Sequence, residues 1–320
     1  MELLPRPMLS THRTLTASAL LPIHASYQRF EFFSSSFSSR FHSPVVSDQK
    51  WTKMKTLKFA GQKTLTPKSS LQFNGENEEE ECEMVNGVKI SIGDGSESIS
   101  AYLLKAVKNN NGAGILLLSD IYGFEDSSIK DFAYRVACNG YNVLVPDLFG
   151  GNPWRKNLPE EGLSSWMEEQ EKVASEIASS ARSIADLLGS DDGIACKLGV
   201  IGINFGGKKA IELLSEEIGS LFSVGVWLYG MRMDEKVADC VKTPVLFICG
   251  GSDPQCPVRE IEEMGGKIEG SKVVVFEGRG NDFVHRPGSA EEDEDAEKAF
   301  GIMRNWLHEG MVLDKGALML

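Results

Sequence analysis

Two hydrophobic rhythms take turns along residues 84 to 308. Short apolar runs with strand character are "VKISIG", "SAYLLKA", "AGILLLSD" (113–120), "YNVLVPDLF" (141–149), Leu198 to Ile203, "SVGVWLYG", "PVLFICGG" and "KVVVFEG". Between most of them, apolar residues recur three and four apart. That spacing predicts a helix from about Ser127 to Cys138, a long one with Ile177, Ala181, Ile184 and Leu188 on one stripe, and others over Lys208 to Ile218, over "REIEEMGG", and up to about His308. Ser165-x-x-Glu168 and Ser289-x-x-Glu292 read as capping boxes for the long and the last helix, and Gly189 as the stop of the long one. The acidic first turn of the last helix suits the positive end of its dipole.

Strand and helix alternate, so the fold class is α/β: a doubly wound, mostly parallel sheet with helices on both faces. Sites on such sheets form beyond the carboxyl ends of the strands. Asp120, Asn204, Asp253 and Asn281 each stand just after one of the apolar runs. No internal repeat, dinucleotide fingerprint or phosphate-binding loop is present, and the reading assigns no cofactor.

Composition separates a leader from this domain. Residues 1–47 interleave Arg6, Arg13, Arg29 and Arg40 with hydroxyl residues, as in "FFSSSFSSRFHS", and carry only Glu2 and Glu31 as acids. That is the composition of an organelle transit peptide, for a chloroplast rather than a mitochondrion, with a merely disordered tail as the alternative. Residues 48–83 are a linker, basic and then acidic ("GENEEEECE"), and 309–320 a C-terminal tail. A net charge of −13 lacks the clustered Lys and Arg of a nucleic-acid partner, and no apolar run is long enough to span a membrane. Six cysteines show neither CxxC nor metal-type spacing, so they read as reduced, mostly buried small side chains, with no metal site. Beyond the leader only His285 and His308 remain, which restricts any histidine-dependent mechanism.

"GVIGINFGGKKA" (199–210) is a strand, a glycine-bounded turn and a helix. With "LLLSDIYGFEDSSIKDFAYRVACNGYNVLVPDLFGGNP", "GGSDPQCP" and "GNDFVHR" in that order, it resembles the dienelactone hydrolase family of α/β-hydrolases, which open lactones and related esters with a cysteine nucleophile. The likeness covers about three quarters of the chain. It implies that Asn204 stands at the nucleophile position, Asn281 at the histidine position and Asp253 at the acid position. It further implies that Asp120 replaces a gating glutamate, that the amides of Ile121 and Phe205 form the oxyanion hole, and that Arg286 could clamp a carboxylate.

An amide cannot be turned into an attacking anion by a base, and nucleophile and base work as a unit whose loss costs roughly 10⁶ in turnover. The expected protein is therefore a ligand-binding or regulatory pseudo-hydrolase for a small ester, lactone or carboxylate. The alternatives are a slow hydrolase using water held by Asp253, and a protein-interaction module with an unidentified partner. Each residue also has a plainer reading. Asp253 could close its own turn, Asp120 could cap the next one, and Arg286 could be a solvated loop cation. His285 could be a surface or loop histidine, or, if its segment is helical, could approach Asp253. Cys249 and Cys256 could be packing residues or displaced thiols, and Trp154 and Trp166 lid or packing aromatics.

Overall fold

The computed structural model describes residues 85–93, 98–179, 188, 197–231, 233 and 235–313. The leader, the acidic run at 75–83 and the last residues of the tail lie outside them, as do Cys82, Cys196, Ala181, Ile184, Gly189 and the side chain of Ile177.

Eight strands form one sheet. They are β1 (Val85–Ile92), β2 (Ile99–Ala106), β3 (Gly114–Leu118), β4 (Asn142–Pro146), β5 (Leu198–Ile203), β6 (Phe222–Leu228), β7 (Val245–Gly250) and β8 (Lys272–Phe276). Their order across the sheet is β1-β2-β4-β3-β5-β6-β7-β8. β2 pairs antiparallel with both β1 and β4, and every other pairing is parallel. The chain runs from β3 outward to β4 and then returns to place β5 on the other side of β3, so the sheet reverses direction between β3 and β5. The ends of those two strands open the crevice where such sheets bind ligands.

Strand residues alternate between two cores, as a pleat with a two-residue period requires. In β3, Ile115 and Leu117 enter one core while Leu116 and Leu118 enter the other. The helices are α1 (Ser127–Cys138), α2 (Leu163–Ser179), α3 (Phe205–Ser215), the single turn α4 (Glu235–Ala238), α5 (Val258–Lys267) and α6 (Ala290–Met311). The first face is covered by α1, through Ile129, Phe132 and Val136, and by α6, through Phe300, Met303 and Leu307. Phe132 and Phe300 meet edge to face with centroids 5.7 Å apart. The other face takes α2, α3 and α5, through Trp166, Ile211, Leu214, Ile261 and Met264. Each fully buried side chain of this size contributes about 1.5–3 kcal/mol.

The last helix opens as expected. The Ser289 hydroxyl accepts from the Glu292 amide at 3.1 Å, and the Glu292 carboxylate accepts from the amide of Gly288 at 2.7 Å. The helix runs three residues past His308, to Met311, whose side chain is buried. The long helix departs from expectation. It begins at Leu163, directly after a 3-10 turn over Glu160–Gly162, which places Ser165 inside the first turn rather than at the cap. Trp154 and Trp166 are buried packing residues, 5.6 Å apart, and Trp166 lies 6.5 Å from Phe205.

Candidate functional site

Asn204 is the single residue between β5 and α3, and its backbone sits at φ 52°, ψ −111°. A side chain there costs about 1–3 kcal/mol of strain, which the surroundings must impose. The glycines around it show how. A Cβ on Gly202 would lie 2.3 Å from the carbonyl oxygen of Gly206, and one on Gly206 would lie 2.1 Å from that of Leu118. Only bare backbone lets the turn close this tightly against β3. The Asn204 amide donates to Leu228 O at 3.0 Å, and its carbonyl accepts from Gly207 N at 2.9 Å. Phe205, the next residue, is the first of α3, so its N–H has no partner within the helix.

The Asn204 side chain donates through Nδ2 to Oδ1 of Asn281 at 3.2 Å. The structure thus joins two of the residues singled out in the sequence, across 77 positions of chain. Asp253 stands differently. Its Oδ1 accepts from the Gln255 amide at 2.9 Å, closing its own turn, while its buried Oδ2 meets no hydrogen-bond partner. Burial, reinforced by the nearby Asp282 charge and opposed by the Gln255 amide, raises the Asp253 carboxyl above its ordinary range.

Asp120 caps the turn after β3, its Oδ1 accepting from Tyr122 N at 3.0 Å. Its Oδ2 meets both Nη1 of Arg286 and, at 3.0 Å, Nε2 of His285. The other ring nitrogen of His285 lies 2.5 Å from the Tyr229 hydroxyl. Two expectations are corrected here. His285 is neither a surface histidine nor directed at Asp253. Its segment does turn helically, with Arg286 N donating to Asp282 O at 2.8 Å, but the ring is buried between Tyr229 and Asp120. Arg286 is no solvated cation. Its guanidinium is held by Asp120, by Asp126 at 2.7 Å and by Asp282 at 3.6 Å.

The electrostatics of this cluster follow from the pairing. Burial works against the Asp126 charge, but hydrogen bonds from Lys156 and Arg286 outweigh it and bring the carboxyl down to about 2. Asp282, where burial dominates and His285 and Arg286 only partly compensate, is pushed up. Burial also drives the Tyr229 hydroxyl well above its ordinary range, with the Asp282 and Asp120 charges adding to the effect.

Sequence reading did not identify Tyr229, Asp282 or Asp126. Tyr229 ends an apolar run and so met the strand-end criterion already applied to Asn204. Asp282 adjoins Asn281, and Asp126 precedes the start of α1, where it accepts from Ser128 N at 3.1 Å. Backbone geometry links them. Among the described residues, the non-glycine positions with positive φ are Asn204, Tyr229 and Asp282, and all three belong to this site.

Two cavities flank it. One, of about 340 Å³, is lined by Phe205, Lys208, Met167 and Met231 among others. The second, of about 600 Å³, includes Met231, Met233, Met264, Ile261 and Cys256. Asn204, Asn281 and Asp253 line neither cavity, and nor do Asp120, His285 and Arg286, expected in the pocket; the last three form a network of their own, with Asp120 and His285 buried and Arg286 half-buried. Cys249 and Cys256 are buried free thiols, and contact with Cys249, together with burial, raises the Cys256 thiol, the opposite of activation. Cys138 is half-buried and Cys240 exposed, so burial holds for two of the four described cysteines. Among the described residues no group of three or more His, Cys, Asp or Glu side chains is arranged to hold a metal ion, and no helix is long and apolar enough to cross a membrane.

A family model described as "Dienelactone hydrolase family" matches residues 99–311, from the start of β2 to the end of α6. The chain belongs to the dienelactone hydrolase family. Similar relatives include the human carboxymethylenebutenolidase homolog, 26% identical over 198 residues that cover 59% of this chain and 78% of the relative. The Xenopus tropicalis carboxymethylenebutenolidase homolog is 26% identical over 222 residues, 67% of this chain and 88% of the relative. Among solved structures, a dienelactone hydrolase-like promiscuous phosphotriesterase from metagenomic libraries superposes with a TM-score of 0.57 at 18% identity, covering 72% of this chain and all of the other. That likeness carries the α/β-hydrolase fold.

Proposed function

We propose that this family member binds a small ester, lactone or carboxylate at the turn between β5 and α3 without efficiently hydrolysing it, and acts as a ligand-binding or regulatory pseudo-hydrolase. The observation that carries the reading is the hydrogen bond from Asn204 Nδ2 to Asn281 Oδ1 at 3.2 Å. Two amides meet where the family resemblance implies a thiol and an imidazole. Neither can supply an anionic nucleophile or take up a proton near neutral pH, whereas together they offer a ligand both donors and acceptors. The strained turn supports the same reading, because it is retained around a residue that cannot attack.

A second reading, slow hydrolysis by a water held at Asp253, has one observation in its favour: the buried Oδ2 without a protein partner. The relatives are themselves named as carboxymethylenebutenolidase homologs. The test is the double substitution Asn204→Cys with Asn281→His in the full chain, assayed with short-chain fluorogenic esters. The unmodified protein is expected to show no turnover above background and the double variant measurable turnover. Turnover by the unmodified protein that Asp253→Ala abolishes would replace the first reading with the second. The composition of residues 1–47 supports a plastid address, to be checked by import of a reporter fused to that segment.

A further inference from the structure

We infer that Tyr229 and His285 are positioning residues for the amide pair: the hydrogen-bonded chain Tyr229–His285–Asp120 sets the turn over 281–286 so that Asn281 Oδ1 meets Asn204 Nδ2. The inference concerns how the pair is held and stands apart from what the pair binds.

Hydrogen counting orders the chain. Asp120 Oδ2 accepts from Nη1 of Arg286, and an ionised carboxylate has no proton to give, so the contact at 3.0 Å requires His285 Nε2 to carry the hydrogen. The other ring nitrogen, Nδ1, meets the Tyr229 hydroxyl at 2.5 Å. Burial raises that hydroxyl well above its ordinary range, so Tyr229 keeps its proton and donates it to Nδ1. The His285 side chain is fully buried and that of Asp120 nearly so, which leaves no water to replace either bond.

The imidazole thereby ties three strand ends together. Tyr229 directly follows β6, whose Leu228 carbonyl accepts from the Asn204 amide at 3.0 Å, and its own N–H donates to Ile248 O of β7 at 2.9 Å. Asp120 stands just past β3. His285 belongs to the turn after β8, where its N–H and that of Arg286 both donate to Asp282 O, at 3.2 and 2.8 Å. Asn281 is the residue that leads into this closed turn. The bonds form a circuit: Asn204 backbone to Leu228, Tyr229 hydroxyl to His285, and Asn281 back to the Asn204 side chain.

Strain marks the same residues. Tyr229 at φ 36° and Asp282 at φ 66° hold costly backbone, which persists only where contacts over-determine it. His285 bridges the two, its ring bonded to Tyr229 and its backbone to Asp282. Phe283 anchors the same turn by apolar contact, buried against Tyr229 and Phe276 with centroids 5.8 and 5.1 Å away. Loss of the polar chain therefore leaves the turn packed but Asn281 misaimed.

The experiment is nuclear magnetic resonance of the full chain labelled with 15N-asparagine or 15N-histidine, the Asn204 side-chain signal being assigned by its loss in Asn204→Ser. Tyr229→Phe removes the hydroxyl and keeps the ring; His285→Gln keeps a donor for Asp120 and removes the Nδ1 acceptor. In each, hydrogen exchange at Asn204 Nδ2 is expected to accelerate about tenfold, as for the loss of one buried hydrogen bond. The backbone amide of Asn142, bonded to Ala113 O, should keep its rate. The double variant should exchange no faster than either single one, because both residues act through one chain. In the unmodified protein the His285 ring should carry its proton on Nε2 and none on Nδ1. Unchanged exchange at Asn204, an equal acceleration at Asn142 as a purely structural role would give, additive effects in the double variant, or a ring protonated otherwise would each overturn the inference.

Discussion

Asp126→Asn separates charge from shape at the half-buried ion cluster around Arg286. The substitution keeps the cap on α1, because an asparagine oxygen can accept from Ser128 N as the carboxylate does. It removes the charge that meets Arg286 at 2.7 Å and Lys156 at 2.7 Å. The Asp126 carboxyl falls from its ordinary 3.8 to about 2 on folding. At about 1.4 kcal/mol per pH unit the full shift would amount to about 2 kcal/mol, and solvent screening at the exposed Lys156 partner brings the expected contribution to about 1 kcal/mol at neutral pH. The sign is that of a depressed acid. The folded state holds the proton less readily than the unfolded chain does, so the contribution is complete above the unfolded value and is lost as pH falls through the folded one. About half of it should remain at pH ~3. Urea unfolding of both proteins, followed by tryptophan fluorescence between about pH 7 and pH 3, should show the variant less stable by that amount at neutral pH. The gap should then narrow steadily below pH ~4. A gap that is as wide at the acid end as at neutrality would refute the reasoning, because the loss would then come from packing or the cap rather than from the charge.

Three further outcomes follow from the geometry. Gly206→Ala drives a methyl group to 2.1 Å from the Leu118 carbonyl oxygen; it should cost about 3 kcal/mol or more, read as a lower urea midpoint, and a neutral result would show that the turn can open. Glu171→Ala leaves Lys209, whose side chain is 1% exposed, with Glu212 and Ser175 as its remaining partners. That should destabilise the protein by about 2–4 kcal/mol, and Glu171→Ala combined with Lys209→Met should recover part of the loss. Ser289→Ala removes the acceptor for Glu292 N and should cost about 1 kcal/mol, with hydrogen exchange accelerating in the first turn of α6 and unchanged near Met303.

The elements that sequence reading placed well are those set by local chemistry. Continuous apolar runs mark β3, β5 and β7 within a residue or two, and Ser289 caps its helix because capping needs only the next three residues. Ser165 misled for the same local reason. Its spacing to Glu168 satisfies a capping box, but a 3-10 turn over Glu160–Gly162 brings the chain into α2 earlier and leaves no cap for Ser165 to make. The strand-end criterion found Asp120, Asn204, Asp253 and Asn281, yet could not rank them or say which would touch.

By itself, then, the order of residues determined the kind of each element, the polarity of its faces and the placement of chemistry just beyond strand ends, because these depend on neighbours a few positions away. Tertiary structure decided which of those ends share a crevice. His285 reaches Asp120 across 165 residues and Asn204 reaches Asn281 across 77, separations that only the lateral order of strands can close. It also decided that Arg286 grips the protein's own carboxylates, since a cation's partner is set by what is packed against it and by the cost of leaving any of those charges buried alone.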